Sequence, residues 1–148
     1  MARRTTLSTS DSPGPRRVVV DTNLLVGAAY RPGSASGRVV AACVAGELTP
    51  LMSASLRREC LHIVGRAVRG RAFGETLRRF LEGAEVVEPA QVPRVVPLDP
   101  DDDKLIALAL AGCAEAVLTN DRHLLSLDPY GSVRILRPGE FLRARRPL

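Results

Sequence analysis

Short apolar runs rich in β-branched residues alternate along the chain with longer stretches whose apolar side chains recur at helical spacing. Val18-Val19-Val20 is the first run. It ends abruptly at Asp21, the pattern of a buried strand opening onto a crevice. Thr22 and Asn23 are helix-capping residue types, so Leu24-Leu25-Val26 is expected to start a short helix. Arg31-Pro32-Gly33 reads as a loop. Ser34 then opens a helix to about Ala45, with Val39, Val40, Cys43 and Val44 on its apolar side and Gly46 closing it. Leu48 to Met52 reads as a second strand. Ser53 caps a helix from Ala54 to about Val68, in which Leu56, Cys60, Ile63 and Val64 share one face.

A further amphipathic helix covers roughly Phe73 to Leu81, and Glu85 to Glu88 reads as a third strand. Three prolines make Pro89 to Pro97 a connection. Asp99 before Pro100 has the form of an N-cap with proline at the first helical position. Asp101 and Asp102 fall in the first turn, where the helix dipole favours negative charge, and the helix continues from Lys104 to Ala111. Ala116 to Thr119 is a fourth strand ending at Asn120-Asp121, followed by a short helix with Leu124 and Leu125. Val133 to Leu136 is a last strand, and Pro138 starts a terminal helix carrying Phe141 and Leu142. Residues 1–16 are expected to form a disordered extension and residues 17–148 a single domain. Strands alternating with helices predict an α/β fold, a sheet with helices on both faces.

Composition narrows this picture. Hydrophobic residues make up 45% of the chain, yet there is no Trp and only three Phe and two Tyr. The core must be aliphatic, which suits parallel strands buried on both faces and leaves few rings on which bases could stack. The net charge is +5 and the cations are nearly all Arg, Lys104 being the single Lys. That balance favours a polyanionic partner, with a solvated Arg-rich surface as the plain alternative. Cys43, Cys60 and Cys113 lack paired spacing and lie in apolar patterns, so they are expected to be small buried thiols in a reducing compartment. With only His62 and His123, a Cys/His zinc site is not expected. No stretch approaches the roughly 20 apolar residues of a membrane span. No apolar segment follows the paired Arg near the start, so cytoplasm is the expected location.

The acids carry the candidate chemistry. Asp21 and Asp121 each follow an apolar strand, and in an open parallel sheet such strand ends line the ligand crevice where strand order reverses. Taken singly, each could be an ordinary helix cap. Asp103 shares a face with Ile106, Ala107 and Leu110, a stripe expected to be buried, where a carboxylate needs a partner or a metal. Glu59 sits at the margin of its helix's apolar face and alone would read as a surface residue.

These motifs together resemble the PIN-domain family, in particular its toxin-like bacterial members. The resemblance rests on Val-Val-Val-Asp21-Thr22-Asn23, on Arg58-Glu59 in a mid-chain helix, on Asp99-Pro100-Asp101-Asp102-Asp103-Lys104 leading into Leu-Ile-Ala-Leu-Ala, and on Leu118-Thr119-Asn120-Asp121 before Leu124-Leu125. It spans roughly Arg17 to Leu142. It implies a three-layer α/β/α sandwich with a central, mainly parallel sheet, and a nuclease binding Mg²⁺ or Mn²⁺ through three or four acids. Carried over residue by residue, it assigns metal binding and catalysis to Asp21, Glu59, Asp103 and Asp121, with Asn23 and Thr119 orienting the site or its water. Many members have a second Asp two residues after the position of Asp121; here His123 stands there, as substrate contact, outer-shell partner or bystander, the last being preferred. The resemblance further implies an RNA substrate, a homodimer and a small antitoxin protein covering the site.

All-oxygen carboxylate sites suit Mg²⁺ and Mn²⁺. Such a site lets metal activate a water and stabilise the departing oxyanion of a phosphodiester. Flanking phosphates would fall to Arg, with Arg31, Arg38, Arg57, Arg58 and Arg122 as candidates. A carboxylate-metal phosphatase of haloacid-dehalogenase type also starts from a strand and an Asp, but it needs a second Asp where Asn23 stands. No glycine-rich loop supports a dinucleotide module. A non-catalytic RNA-binding protein of the same fold is the rival of a different class, disfavoured by the complete acid set.

Overall fold

The computed structural model describes residues 16–67, 73–88 and 100–145, with backbone alone at 63–65, 67 and 100–103. Five strands, β1 (Arg16–Val20), β2 (Leu48–Met52), β3 (Glu85–Val86), β4 (Ala116–Leu118) and β5 (Arg134–Leu136), form one sheet in the order β3-β2-β1-β4-β5. Every pairing is parallel, and β1 and β4 match Val19 to Val117 and Val20 to Leu118. From β1 the chain first builds outward through β2 and β3, then returns to the other side of β1 for β4 and β5. The order therefore reverses between β1 and β4, where a sheet of this kind opens a crevice beyond its strand ends.

The helices are α1 (Thr22–Tyr30), α2 (Ala35–Val44), α3 (Ala54–Ala67), α4 (Phe73–Gly83), α5 (Pro100–Ala111), α6 (Arg122–Leu125) and α7 (Pro138–Ala144). Alternation along the central strands creates two cores. Val18, Val20, Ala116 and Leu118 face Leu25, Val40, Cys60, Phe80 and Phe141, from α1, α2, α3, α4 and α7. Val19 and Val117 point the other way, to Ile106 and Leu108 of α5, Leu124 of α6 and Ile135 of β5. Hence the layers are α/β/α, and β1 and β4 are apolar on both faces because both are covered.

Local chemistry explains the boundaries. Ser34 accepts from Gly37 N at 3.2 Å and Ser53 from Leu56 N at 3.0 Å, each capping the helix that follows. Gly46 takes φ +86 just past α2, where a side chain would be strained. Thr22 and Asn23 are not the caps expected of them. The cap is Asp21, and α1 begins one residue later. β1 starts at Arg16, and β3 is two residues long, although Val87 N still donates to Met52 O at 2.9 Å.

Two burial expectations fail. Leu110 is 40% exposed, because α5 turns it away from the sheet that covers Ile106 and Ala107. Cys113 is exposed, unlike Cys43 and Cys60, and has φ 56. The turn before β4 needs a positive φ. Cys113 takes it, while a Cβ on the preceding Gly112 would meet Leu51 Cδ1 at 2.5 Å and force a shift. The expected cap Asp99, Val68 at the end of α3, the connection from Pro89 to Pro97 and residues 1–15 lie outside the described residues. So do the side chains of Ile63, Val64, Asp101 and Asp102.

Two measurements probe this packing. A Cβ on Gly37 would lie 2.0 Å from Pro32 O, whereas one on Gly27 meets nothing within 4 Å. Gly37→Ala should cost about 1–3 kcal/mol, while Gly27→Ala, inside α1, should gain about 0.5–1 kcal/mol. Denaturant melts of both variants check the contrast, and equal shifts would refute it. Burial pushes the Cys43 thiol up to about 12, with Arg145 pulling it down a little, and burial raises Cys60 too. A disulfide-exchange reagent should therefore titrate Cys113 alone in the folded protein and all three thiols only in denaturant.

Candidate functional site

Among the described residues Thr119 is the only polar or charged side chain that is buried, at 0% exposure. It follows β4 directly. Its Oγ1 donates to Asp21 Oδ2 at 2.8 Å and accepts from Asp121 N at 2.9 Å. Asp21 N in turn donates to Leu118 O at 2.9 Å, so the end of β1 is tied to the end of β4 by main chain and side chain together. The two aspartates thus emerge side by side at the strand-order reversal.

Both are also helix caps. Asp21 Oδ1 accepts from Asn23 N at 3.0 Å at the start of α1. Asp121 Oδ1 accepts from His123 N at 2.7 Å and Leu124 N at 3.3 Å at the start of α6. The capping and ligand readings are therefore compatible. Each cap anchors one oxygen of its carboxylate. Among the described residues Asp121 Oδ2 has no hydrogen-bond partner, and Asp21 Oδ2 accepts one hydrogen bond on an oxygen that can accept more. Two half-buried carboxylates with spare lone pairs form a donor set suited to a hard divalent cation.

The other expected residues are placed less closely. α3 packs beside α1, where Cys60 Sγ lies 3.4 Å from Thr22 Oγ1. Burial raises the Cys60 thiol, the Thr22 contact lowers it, and the negative charges of Glu59 and Asp21 add to the rise. Glu59 and Asp21 thus flank one buried thiol from two helices, yet Glu59 is exposed and hydrogen-bonds to neither aspartate. Asp103 lies in the first turn of α5, and its side chain is outside the described residues. Among the described residues no three His, Cys, Asp or Glu are grouped to hold a metal. What the structure joins there is the pair Asp21 and Asp121, through Thr119.

Asn23 reaches Asp21 by its backbone while its side chain is exposed, and His123 likewise serves Asp121 by its backbone. Arg31, Arg38, Arg58 and Arg122 are exposed; Arg57 is half-buried, with its Nε buried and unpartnered. Two cations that sequence reasoning missed stand at the same edge. Arg137 follows β5, its Nη1 donating to Asn120 Oδ1 at 3.2 Å, and Arg143 lies on α7. Their only sequence signal is the Arg-rich end of the chain, which does not say which Arg face the crevice.

Thr119→Val keeps the shape but strips a buried donor and acceptor, and should cost about 1–3 kcal/mol in a denaturant melt. Thr119→Ser keeps the hydroxyl and should cost clearly less. Equal losses would mean that the methyl packing matters and the bridge does not.

The sequence model described as PIN domain matches residues 17–123 of this chain. That span includes Asp21, Glu59, Asp103, Thr119 and Asp121. No curated protein matches the chain. PIN domains are generally nucleases and typically bind divalent metals.

Proposed function

The chain belongs to the PIN-domain family, and from that premise we propose that it is a Mg²⁺- or Mn²⁺-dependent endoribonuclease, the toxin half of a toxin–antitoxin pair. The observation that carries the reading is the pair of half-buried carboxylates, Asp21 and Asp121, locked together by Thr119 at the reversal of strand order. Glu59 and Asp103 complete the acid set in this reading, one from α3 beside α1 and one from the first turn of α5. A bound metal would supply an activated water and neutralise the departing oxyanion. Asp21 and Asp121 hold it, and Thr119 fixes the direction in which Asp21 Oδ2 presents its lone pairs. Asn23, through its backbone N–H, anchors the other oxygen of Asp21.

Arg31, Arg58, Arg122 and His123, all exposed, are the side chains this reading assigns to the phosphate backbone. A homodimer and a small antitoxin that covers the acids belong to the same reading. Among the described residues no helix is long and apolar enough to cross a membrane, in keeping with an RNA substrate in the cytoplasm.

The purified chain should cut single-stranded RNA with Mg²⁺ or Mn²⁺ and stop in chelator. Asp21→Asn, which retains the cap, should lose at least about 100-fold in rate while folding normally. Mn²⁺ at about 100 times its Kd should stabilise the wild type by about 2.7 kcal/mol and the Asp21→Asn and Asp103→Asn variants much less. Full activity in chelator or in Asp21→Asn would sink the nuclease reading. An equal metal shift in Asp103→Asn would remove that residue from the site.

A further inference from the structure

A pocket of about 320 Å³ opens beside the acid pair, with Ser34, Ser36, Asn120, Arg137, Glu140 and Arg143 in its wall. Asn120 is the wall residue that adjoins the acids in sequence. It stands between Thr119 and Asp121, and its Oδ1 accepts from Arg137 at 3.2 Å.

The cations here are uncompensated. Arg16, Arg17, Arg78, Arg134 and Arg145 all have carboxylate partners. Among the described residues the Arg137 guanidinium meets only the neutral Asn120 amide, and the Arg143 guanidinium has no hydrogen bond or ion pair. The single acid in the wall, Glu140, is engaged with backbone, its Oε1 accepting from Arg137 N at 3.0 Å. Ser34 Oγ accepts from Gly37 N at 3.2 Å and keeps its own proton to donate, while the Ser36 hydroxyl has no partner among the described residues. Two guanidinium groups and two hydroxyl donors around an open pocket match one tetrahedral anion with a single negative charge.

We propose that this pocket seats a backbone phosphodiester of the RNA strand next to the one being cut, held by Arg137 and Arg143. The proposal rests on the nuclease reading above and adds to it the binding residues that set the strand's path. Both arginines lie beyond residues 17–123, while Ser34, Ser36 and Asn120 of the same wall lie within the part that the family model matches. A free phosphate would meet the same donors; the single residue step from Asn120 in the pocket wall to Asp121 favours a strand that also passes the acids.

The test measures binding of a fluorescent 12-nucleotide single-stranded RNA by anisotropy over a salt series, on the full chain carrying Asp21→Asn so that the RNA stays intact. Arg143→Gln, which breaks no hydrogen bond, should weaken binding about tenfold. It should also flatten the slope of log affinity against log salt by about 0.7, the value for one phosphate contact on a single strand. Arg143→Lys should fall between, and Arg79→Gln, the same charge change on the exposed side of α4, should alter affinity less than about twofold. Melting curves check that each variant folds. No binding by the parent, an unchanged affinity and slope in Arg143→Gln, or an equal loss in Arg79→Gln overturns the proposal. Inorganic phosphate that protects the fold of the parent but not of Arg143→Gln, while RNA affinity stays independent of Arg143, overturns it in favour of a free-anion site. Cleavage by the unsubstituted chain is read separately. Cleavage with Arg143-insensitive binding removes the seat and keeps the nuclease, and Arg143-dependent binding without cleavage does the reverse.

Discussion

A hydroxyl enclosed by aliphatic side chains must find an acceptor close by, and Thr119 finds it in Asp21 while receiving the N–H of Asp121. Neither aspartate can shift without leaving a buried polar atom unpaired, which is why their relative position is determined by the sheet and not by the loops they begin. The sheet can do this because β1 and β4 are in register from Val18 opposite Ala116 to Val20 opposite Leu118. Those strands are clamped between two cores, so the register is fixed by every side chain along both faces. Packing energy far from the crevice is thereby converted into precision at its floor.

The two edges of the sheet treat charge differently. Where the strands open, cations are paired: Arg16 with Glu115, Arg17 with both oxygens of Glu85, and Arg134 with Asp128. Where the strands close, the acids stand out on Asp21 and Asp121, while Arg122 and Arg143 lack carboxylate partners among the described residues and Arg137 touches only an amide. A net charge of +5 is therefore a poor guide to function by itself. What matters is that ion pairs are arranged where the strands open, while Arg122, Arg137 and Arg143 beyond the other ends have no carboxylate partner among the described residues.

Much of this was legible in the sequence, for identifiable reasons. Strands such as Val18-Val19-Val20 are short, β-branched and buried on both faces, so periodicity and composition agree. Ser34, Ser53 and Gly46 mark helix ends through interactions with residues only a few positions away. What local pattern could not give is contact between distant positions. Thr119 and Asp21 are 98 residues apart, and the central role of that hydroxyl appears only once β4 lies beside β1. The same holds for Asn120 with Arg137, brought together by β4 and β5. Leu110 and Cys113 are exposed although their sequence neighbours are apolar, because α5 ends and the chain turns there with a positive φ at Cys113.

Helix capping and metal binding are usually offered as competing explanations of an aspartate after a strand, and here the geometry makes one the precondition of the other. A carboxylate free to rotate would relieve repulsion from its neighbour by swinging into water. Asp21 cannot do so with Oδ1 on Asn23 N and Oδ2 on Thr119, nor can Asp121 with Oδ1 on His123 N and Leu124 N. The caps thus hold two like charges at the same strand ends, each with one oxygen tied to backbone N–H. Lone pairs left over on the same two residues point to the remaining remedy, a cation shared between them. Such a cation would be held by groups already in place before it arrives, so its binding would not have to order the site first.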